Sequence, residues 1–557
     1  MTYDVIVKDA RIVDGTGKAA YGGDIAVKDG RIAAVGEVNG SANRTIDAGG
    51  QVVAPGFIDA HTHYDAQLMW DPTANPSMCH GVTTVLTGNC GYTLAPVRGE
   101  DQDYLMGVFS AAEEVPKKAL QLFAPFAWET FPDYLNLLRN SKLGPNVVSQ
   151  IGHSALRRYV MGEAALERAA TEDDIKAMVR LVEEALDAGA AGVSTSQAPH
   201  QVGEHGEHIP SFFASEDEID ALAAAVRRKG KRLVSVNPRS KREGLSDEDK
   251  AYLVRLAEIS GGVVSWNDFG QMTPKWQESL DFMEAQQRNG HRIFAIARCQ
   301  RPETRFTLKK LSAIFAGDEN WLAFARQDKP GMIGALKDPA WRARLAKFWE
   351  GAPYMKMASV EKGANPETAA LDGRLLDEIA AERNTTAAEV MFDTAAADDL
   401  QTFFRISAPV KGDESQLERI LKSPATLVGI SDAGAHLQTF AGGDYTSYFL
   451  GHWVREKGAF TLEEGVAALT SRVADFLGLT DRGTLEVGKA ADLTIFDPDT
   501  VEPLPLQTLD DIPGGGTRMT KGAKSINWVI VGGNPVIEDG KQTDVTPGRV
   551  LAAPSVG

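Results

Sequence analysis

The chain of 557 residues is 43% hydrophobic and 24% charged, a composition typical of a globular protein with more than one domain. Its formal net charge of −18 argues against nucleic acid or an anionic membrane surface as a partner. Three cysteines do not make a disulfide framework, and no stretch approaches the ~20 apolar residues of a membrane span. Because the N-terminus also lacks a signal-peptide pattern, we expect a cytoplasmic protein.

Both ends of the chain show the alternation of β-strands. Near the N-terminus, Val5 and Val7 alternate with polar neighbours, and glycine-containing turns separate the short apolar runs. The same alternation returns near the C-terminus. We therefore predict one β-sandwich built from residues 1–55 and 481–557, because neither part is large enough to close a core alone.

Between these ends, apolar strands alternate with amphipathic helices, which predicts a (β/α)8 TIM-like barrel of the α/β class over residues 56–480. Ser215-Glu-Asp-Glu218, for example, is a capping box that begins a helix. Eight strands are predicted, at 52–58, 82–88, 146–152, 191–195, 232–236, 262–266, 292–297 and 426–431. Insertions at 97–145 and 301–425 follow strands 2 and 7, where barrel loops build the active site, so they are candidate lids or homo-oligomer contacts.

The first predicted strand ends in Asp59-Ala-His61-Thr-His63, which places two histidines on one face of an extended segment. Imidazole is a favoured ligand of zinc and neighbouring transition metals, so the pair predicts a metal site. Asp432 follows the eighth strand, which lies beside the first once the barrel closes, and can bind the metal and accept a proton from attacking water. A metal ion there would lower the pKa of water toward ~7. The alternative for Asp432 alone is a turn or helix-cap residue.

Polar side chains also follow the other predicted strands. Cys90, after strand 2, is either a thiolate metal ligand or a buried inert thiol. His153, after strand 3, either stabilises the oxyanion of the reaction or satisfies backbone groups. Arg298, after strand 7, either binds a substrate carboxylate or forms a structural ion pair. Three more residues are candidate substrate contacts, namely Asn237, Asn267 and His436. His436 alternatively orients Asp432 or the metal.

Several of these motifs resemble those of a known family. Residues 55–65, Pro-Gly-Phe-Ile-Asp-Ala-His-Thr-His-Tyr-Asp, resemble the first-strand signature of the amidohydrolase superfamily, and residues 80–96 are similar to its N-acyl-D-amino-acid deacylase (D-aminoacylase) branch. The resemblance implies a TIM-like barrel with a β-sandwich and metal-dependent hydrolysis of amide or related bonds. In that branch a cysteine after strand 2 replaces the carboxylated lysine of many relatives, which matches Cys90. The branch's strand-8 aspartate matches Asp432.

The chain departs from that branch at two strand ends. The branch has a metal-binding histidine after strand 5 and another after strand 6, the latter followed closely by a substrate-binding lysine. Here the corresponding positions carry Asn237 and Asn267-Asp268. The resemblance therefore implies one Zn²⁺ or other divalent ion rather than two, held by the two strand-1 histidines and Asp432, with Cys90 as a further candidate ligand.

We therefore expect a metal-dependent amidohydrolase that cleaves an N-acyl or related amide bond of a small molecule, with Asp432 as general base and later proton donor. The missing lysine leaves a second hypothesis open, a hydrolase of a cyclic amide, imide or ester without a free carboxylate. The missing second metal site leaves a third, a non-catalytic barrel that binds a ligand. A substrate panel and metal analysis distinguish the three.

Overall fold

The computed structural model describes residues 2–123, 126–270, 273–300, 303–309, 315, 318–407 and 414–552. The predicted terminal segments and the predicted 301–425 insertion therefore extend partly outside the described residues. Within the described ranges, no helix combines the length and apolarity needed to cross a membrane.

A ring of parallel strands forms the centre of the molecule, which confirms the predicted barrel. One sheet of the ring contains Phe57–Asp59, Val82–Thr87 and Asn146–Ser149. The other contains, in spatial order, Ile151–Gly152, Gly192–Ser196, Leu233–Asn237, Val263–Phe269, Arg292–Arg298 and Thr426–Gly429. The two sheets meet at Gln150 and, on the opposite side, through the bridge between Thr62 and Ala433. We number the strand positions 1 to 8 in chain order, so position 8 closes beside position 1.

Helices surround this ring, and one of them begins at the predicted cap residue Ser215. The hydroxyl of Ser215 accepts the N–H of Glu218, as predicted, but the Glu218 carboxylate turns inward to Arg157 and does not complete a capping box. The helices between and after the barrel strands are Tyr64–Gln67, His153–Met161, Glu172–Asp187, Glu216–Arg228, Asp247–Ser260, Trp276–Arg288, Ser415–Leu421, Tyr445–Tyr448, Leu462–Leu469 and Ser471–Leu477, with a π-helical segment at Phe449–Glu456.

The two chain ends share a nine-stranded sheet, the main body of the predicted β-sandwich. Its strands are Thr2–Ile12, Tyr21–Lys28, Arg31–Gly36, Ser41–Asp47, Val52–Pro55, Leu493–Phe496, Ile526–Val531, Asn534–Glu538 and Lys541–Gln542. The predicted single strand 52–58 is wrong, because Val52–Pro55 belongs to this sheet and only Phe57–Asp59 joins the barrel. The chain changes sheets at Gly56, where a Cβ atom would lie 2.1 Å from the Thr83 hydroxyl oxygen. The domain boundaries themselves stay a prediction.

Both insertions contribute residues to the cavity above the strand ends. The first contains helices Gln102–Ala112, Lys117–Phe123 and Phe131–Asn140. The described part of the second has its own hydrophobic core and forms a sheet of Glu303–Phe306, Phe403–Ser407 and Ala358–Lys362. Its helices are Glu319–Ala325, Lys329–Lys337, Pro339–Gly351, Pro366–Ala369, Leu376–Arg383 and Ala387–Ala397. Two small sheets pair Glu502–Pro503 with Ala523–Lys524 and Gln507–Leu509 with Arg518–Thr520.

Candidate metal centre and active site

The two histidines after barrel strand 1 form the floor of the site. His61 and His63 are 2% and 3% exposed, and their ring centroids are 5.2 Å apart. The N–H of His63 donates to the carbonyl of Ala433 (2.8 Å), and the hydroxyl of Ser431 donates to the carbonyl of His61 (3.1 Å). Closure of the barrel thus brings segments 370 residues apart into contact, as we predicted for Asp432 and the histidines.

Four donor atoms converge between these segments. A ring nitrogen of each histidine and the sulphur of Cys90 all lie within 4.8 Å of one another, with Cys90 Sγ 3.6 Å from His61 Nε2. Asp432 Oδ1 lies 3.2 Å from His61 Nε2 and 3.8 Å from His63 Nε2. Since zinc bonds to nitrogen and sulphur are about 2.0–2.3 Å long, the edges of a zinc tetrahedron are about 3.3–3.8 Å, which is close to the three distances of 3.6, 3.2 and 3.8 Å. The structure therefore brings the predicted ligands together in an arrangement that fits one ion.

The backbone is strained at two of the four donors. Cys90 has a φ of 57° and Asp432 a φ of 48°, in the left-handed region that residues other than glycine rarely adopt. Such conformations cost about 1–3 kcal/mol each and persist only where the surrounding structure enforces them. Strain at both donors is the pattern expected of a functional site.

The charges of the donors also suit a metal ion. Burial raises the pKa of the Cys90 thiol, but His61 and His63 outweigh burial and bring the pKa well below its ordinary value, which favours the thiolate. Burial likewise opposes ionisation of Asp432, but His61 and the guanidinium of Arg298 hold the pKa of this carboxyl well below its usual range. A thiolate, a carboxylate and two imidazoles are a donor set that zinc prefers.

Glu113, from the first insertion, is a functional residue that the sequence did not reveal. It is 3% exposed, and its Oε1 lies 3.3 Å from Nδ1 of His63, the ring nitrogen opposite the donor cluster. Metal-binding histidines usually present their second ring nitrogen to such a carboxylate, which orients the ring. Burial raises the pKa of Glu113 to about 7, against the opposing effect of His63. The only sequence signal was an acidic pair, Glu113-Glu114, between apolar residues.

Lys241 is the second residue that sequence reasoning missed. It is 7% exposed, and its Nζ donates to Oδ1 of Asn267 (2.9 Å) and Oδ1 of Asn237 (3.3 Å). Asn267 Nδ2 in turn donates to Cys90 Sγ (3.2 Å). Two of the predicted substrate contacts, Asn237 and Asn267, are therefore bound to a lysine, and Asn267 also lines the cavity.

Arg298 is engaged within the protein. Its guanidinium nitrogen Nη2 lies 3.0 Å from Asp432 Oδ2 and 3.2 Å from Asp268 Oδ1, and the guanidinium stacks over Phe440 at 4.9 Å. Of the two alternatives for this residue, the structure shows the structural ion pair. Its contact with Asp432 leaves Oδ1 of that carboxylate directed to the two histidines.

His153 is not brought to the site. It is fully buried, and its Nδ1 and Nε2 lie 2.8 Å from the Thr195 hydroxyl and from Glu218 Oε1, respectively. Glu218 also pairs with Arg157, so the three side chains form a buried network behind strands 3 and 4. Both ring nitrogens are occupied, which matches the structural alternative for His153, and we assign it no catalytic role.

His436 lines the cavity, although its contacts lead to the first insertion. Its Nδ1 is 4.0 Å from Glu114 Oε1, and its backbone N–H donates to the carbonyl of Glu113 (2.6 Å). These contacts fasten the loop after strand 8 to the first insertion. Through Glu113, the same contacts support His63.

A cavity of about 1130 Å³ opens above the donor atoms, and its lining includes His63, Cys90 and Asp432. Six lysine or arginine side chains line it, namely Lys241, Arg242, Arg305, Lys309, Arg326 and Lys362. Five carboxylates do so, namely Glu113, Glu114, Glu204, Asp268 and Asp432. With the Cys90 thiolate, these charges balance in a chain whose net charge is −18, and a bound metal ion makes the lining cationic. The cavity therefore favours a ligand that carries negative charge.

Known proteins share the sequence and the fold. The model of the Amidohydrolase family matches residues 44–537. The chain is 30% identical to D-aminoacylase of Alcaligenes xylosoxydans xylosoxydans, over 99% of this chain and 98% of that protein. A solved structure of D-aminoacylase, a protein with a binuclear metal centre, is 29% identical with a TM-score of 0.68 over 99% of both chains. N-acyl-D-glutamate deacylase of Bordetella bronchiseptica, solved with zinc and a phosphonate inhibitor, is 25% identical with a TM-score of 0.68, over 99% of this chain and 100% of that one.

These similarities extend over almost the whole chain, barrel and terminal sheet included. The same family was indicated by the motifs at residues 55–65 and 80–96. The cluster of possible metal ligands at the strand ends is consistent with a metal-dependent member of it. The chain therefore belongs to the amidohydrolase family, within its D-aminoacylase-like branch, and is a metal-dependent hydrolase of carbon–nitrogen bonds.

Proposed function

We propose that the protein hydrolyses the amide bond of N-acyl amino acids, or of related N-acyl compounds that carry a carboxylate, with one Zn²⁺ ion at the candidate site. The observation that carries this proposal is the convergence of three ligand atoms, from His61, His63 and Cys90, with Asp432 Oδ1 beside them on the floor of a cavity lined by lysine and arginine side chains. Three protein ligands leave the fourth position of a zinc ion open for water. The names of the relatives, D-aminoacylase and N-acyl-D-glutamate deacylase, support the bond type. When bound, the ion would polarise the scissile carbonyl and lower the pKa of water toward ~7.

Asp432 moves the proton in this proposal. Arg298 holds Asp432 Oδ2, and Oδ1 is directed to the two histidines. Its lowered pKa keeps the carboxylate ionised at neutral pH, so it accepts the proton of the attacking water at Oδ1. The hydroxide oxygen adds to the acyl carbon, the carbon–nitrogen bond breaks, and Asp432 returns the proton to the leaving nitrogen. The products are a carboxylic acid and a free amine.

Tyr92 takes the oxyanion role for which we had considered His153. It lines the cavity, its ring centroid is 6.5 Å from that of His63, and its buried hydroxyl has no hydrogen-bond partner among the described residues. Burial raises the pKa of this hydroxyl well above its ordinary value, so it remains a donor. An unpaired buried donor is costly, and a substrate oxygen that accepts from it in the transition state removes that cost.

Release of free amine tests the proposal. Zinc-loaded protein is incubated with N-acetyl derivatives of D- and L-amino acids that have acidic, neutral and basic side chains. Hydantoins, cyclic imides and esters without a free carboxylate are assayed in parallel. We expect amine from at least one N-acyl amino acid, with a preference for acidic side chains because of the cationic lining.

Two other results would replace the proposal. Hydrolysis confined to the cyclic compounds or the esters would support the second hypothesis of the sequence analysis. A full complement of metal with no hydrolysis of any compound would support the non-catalytic barrel.

A further inference from the structure

A buried lysine lies where the ends of barrel strands 5 and 6 meet. Within the described residues, the Lys241 ammonium group has no carboxylate in salt-bridge contact, and its hydrogen-bond acceptors are the amide oxygens of Asn237 and Asn267. Burying a cation with only neutral partners is expensive, since a hydrogen bond to an amide offsets only part of the lost hydration. Burial accordingly lowers the pKa of Lys241, while Asp268 and Cys90 oppose that shift. The charge has to be stabilised by the surrounding site.

The surrounding site is the metal centre. Asn267 links the two, since its Oδ1 accepts from Lys241 and its Nδ2 donates to Cys90 Sγ. The Cys90 thiolate therefore has the His61 imidazole on one side, at 3.6 Å. On another side it accepts from the Asn267 amide, whose oxygen accepts a hydrogen bond from Lys241. A thiolate can bridge two cations, and here the second cation within reach belongs to the protein itself.

We infer that the ammonium group of Lys241 acts as a fixed second cation of this centre, in the space between strands 5 and 6 where a second metal ion would bind, and that it limits the centre to one metal ion. This inference rests on the proposed one-metal function and deepens it. Asn237 and Asn267 suit the role, because amide oxygens accept hydrogen bonds from an ammonium group, whereas imidazoles at these positions would bind a metal. The binuclear centre of the similar D-aminoacylase is consistent with this difference.

A matched pair of variants tests the inference by metal stoichiometry. Each protein is loaded with zinc, dialysed against metal-free buffer and analysed for zinc per chain by mass spectrometry. The wild type and the Asn237→His/Asn267→His double variant should each retain one equivalent, since the double variant keeps the ammonium group. Adding Lys241→Ala to the double variant should raise the content to two equivalents. Two equivalents in the double variant, or one in the triple variant, would overturn the inference.

A single substitution covers the case in which the triple variant does not fold. Lys241→Met should strengthen zinc binding about tenfold or more in competition with a chelator, because a cation fixed beside the centre repels a bound metal ion. Arg242→Met is the control, since Arg242 is the adjacent cavity-lining cation but is exposed, and its zinc affinity should stay within about twofold. Unchanged zinc affinity in Lys241→Met, with only a raised KM for carboxylated substrates, would make Lys241 a substrate anchor and refute the inference.

These measurements do not depend on turnover. If the protein binds one zinc ion but hydrolyses none of the N-acyl amino acids, the proposed function fails and the role of Lys241 stands. If N-acyl amino acids are hydrolysed while the double variant binds two zinc ions, the role of Lys241 fails and the function stands.

Discussion

Replacing Glu113 with glutamine should weaken metal binding although no metal ligand is removed. Glu113 Oε1 lies 3.3 Å from Nδ1 of His63, and Nε2 of the same ring is 3.8 Å from Asp432 Oδ1. A carboxylate at that position fixes the orientation of the imidazole and raises the basicity of the nitrogen that binds the metal. Glutamine preserves the size of the side chain and removes its charge.

The size of the effect follows from burial. Loss of such a partner typically costs 10–100-fold in metal affinity. Since a factor of ten corresponds to about 1.4 kcal/mol, this is about 1.4–2.7 kcal/mol of binding free energy. Because Glu113 is 3% exposed, salt and water screen its charge little, and we expect the upper half of that range, about 30–100-fold. The pKa of Glu113 is raised to about 7 by burial, so the carboxylate is formed above that pH. The loss in affinity should therefore be larger at pH 8 than at pH 6.

The assay is competition for zinc between the protein and a chelator of known affinity, at both pH values. Glu114→Gln is the matched control, because the neighbouring carboxylate accepts from the Thr439 hydroxyl and lies 4.0 Å from His436 Nδ1. We expect its zinc affinity to stay within about twofold of the wild type. An equal loss in both variants, or a change below about twofold in Glu113→Gln, would refute the reasoning.

Four further predictions test the site and the fold. In steady-state assays, Asp432→Asn should lower kcat by about 10²–10⁴-fold. Asp268→Asn is the control and should change kcat little, because the Asp268 side chain is 52% exposed. Tyr92→Phe should lower kcat about 100-fold with zinc content unchanged, and an unaltered kcat would remove Tyr92 from the mechanism. His153→Ala should lower the free energy of unfolding, measured with urea, by about 1–3 kcal/mol and leave kcat unchanged. A loss of kcat with unchanged stability would show that His153 acts in catalysis. Burial lowers the pKa of His80, so unfolded chains bind its proton first, and this residue should lower stability below pH 6.5 by at most about 1.4 kcal/mol per pH unit. His80→Gln should therefore show a smaller loss of stability between pH 7.5 and pH 5 than the wild type, although His200, whose pKa burial lowers to about 2, keeps its own contribution.

Chain segments that follow a simple repeating pattern were predictable. Buried parallel strands appear as apolar runs, and a closed barrel collects the residues that follow them at one end. This is why His61, His63, Cys90 and Asp432 could be placed together from the sequence. The change of sheet at Gly56 was not predictable, because Val52–Pro55 and Phe57–Asp59 are both buried, mainly apolar strands. The structural mark of the change is the close approach of Gly56 to the Thr83 side chain, which the sequence does not show.

Residues whose position depends on the path of a loop were not predictable. Glu113 reaches His63 from the end of an insertion helix, and Lys241 reaches Asn267 from four residues beyond strand 5. Neither shows a periodic signal, since the fold of each loop is set by tertiary packing. The buried network around His153 was not predictable for a related reason. Glu218, the partner that occupies His153 Nε2, lies 65 residues away in the sequence.

Shared strands from both ends of the chain impose an order on biosynthesis. Val53 pairs with Ile495, so this edge of the N-terminal strands stays unpaired until about 440 more residues have been made. At a synthesis rate of about 5–20 residues per second, that interval is about 20–90 s. An apolar strand with free backbone groups is a template for association between nascent chains during such a delay. Soluble yield should therefore respond to growth temperature and to chaperone supply more strongly than the stability of the finished enzyme would indicate.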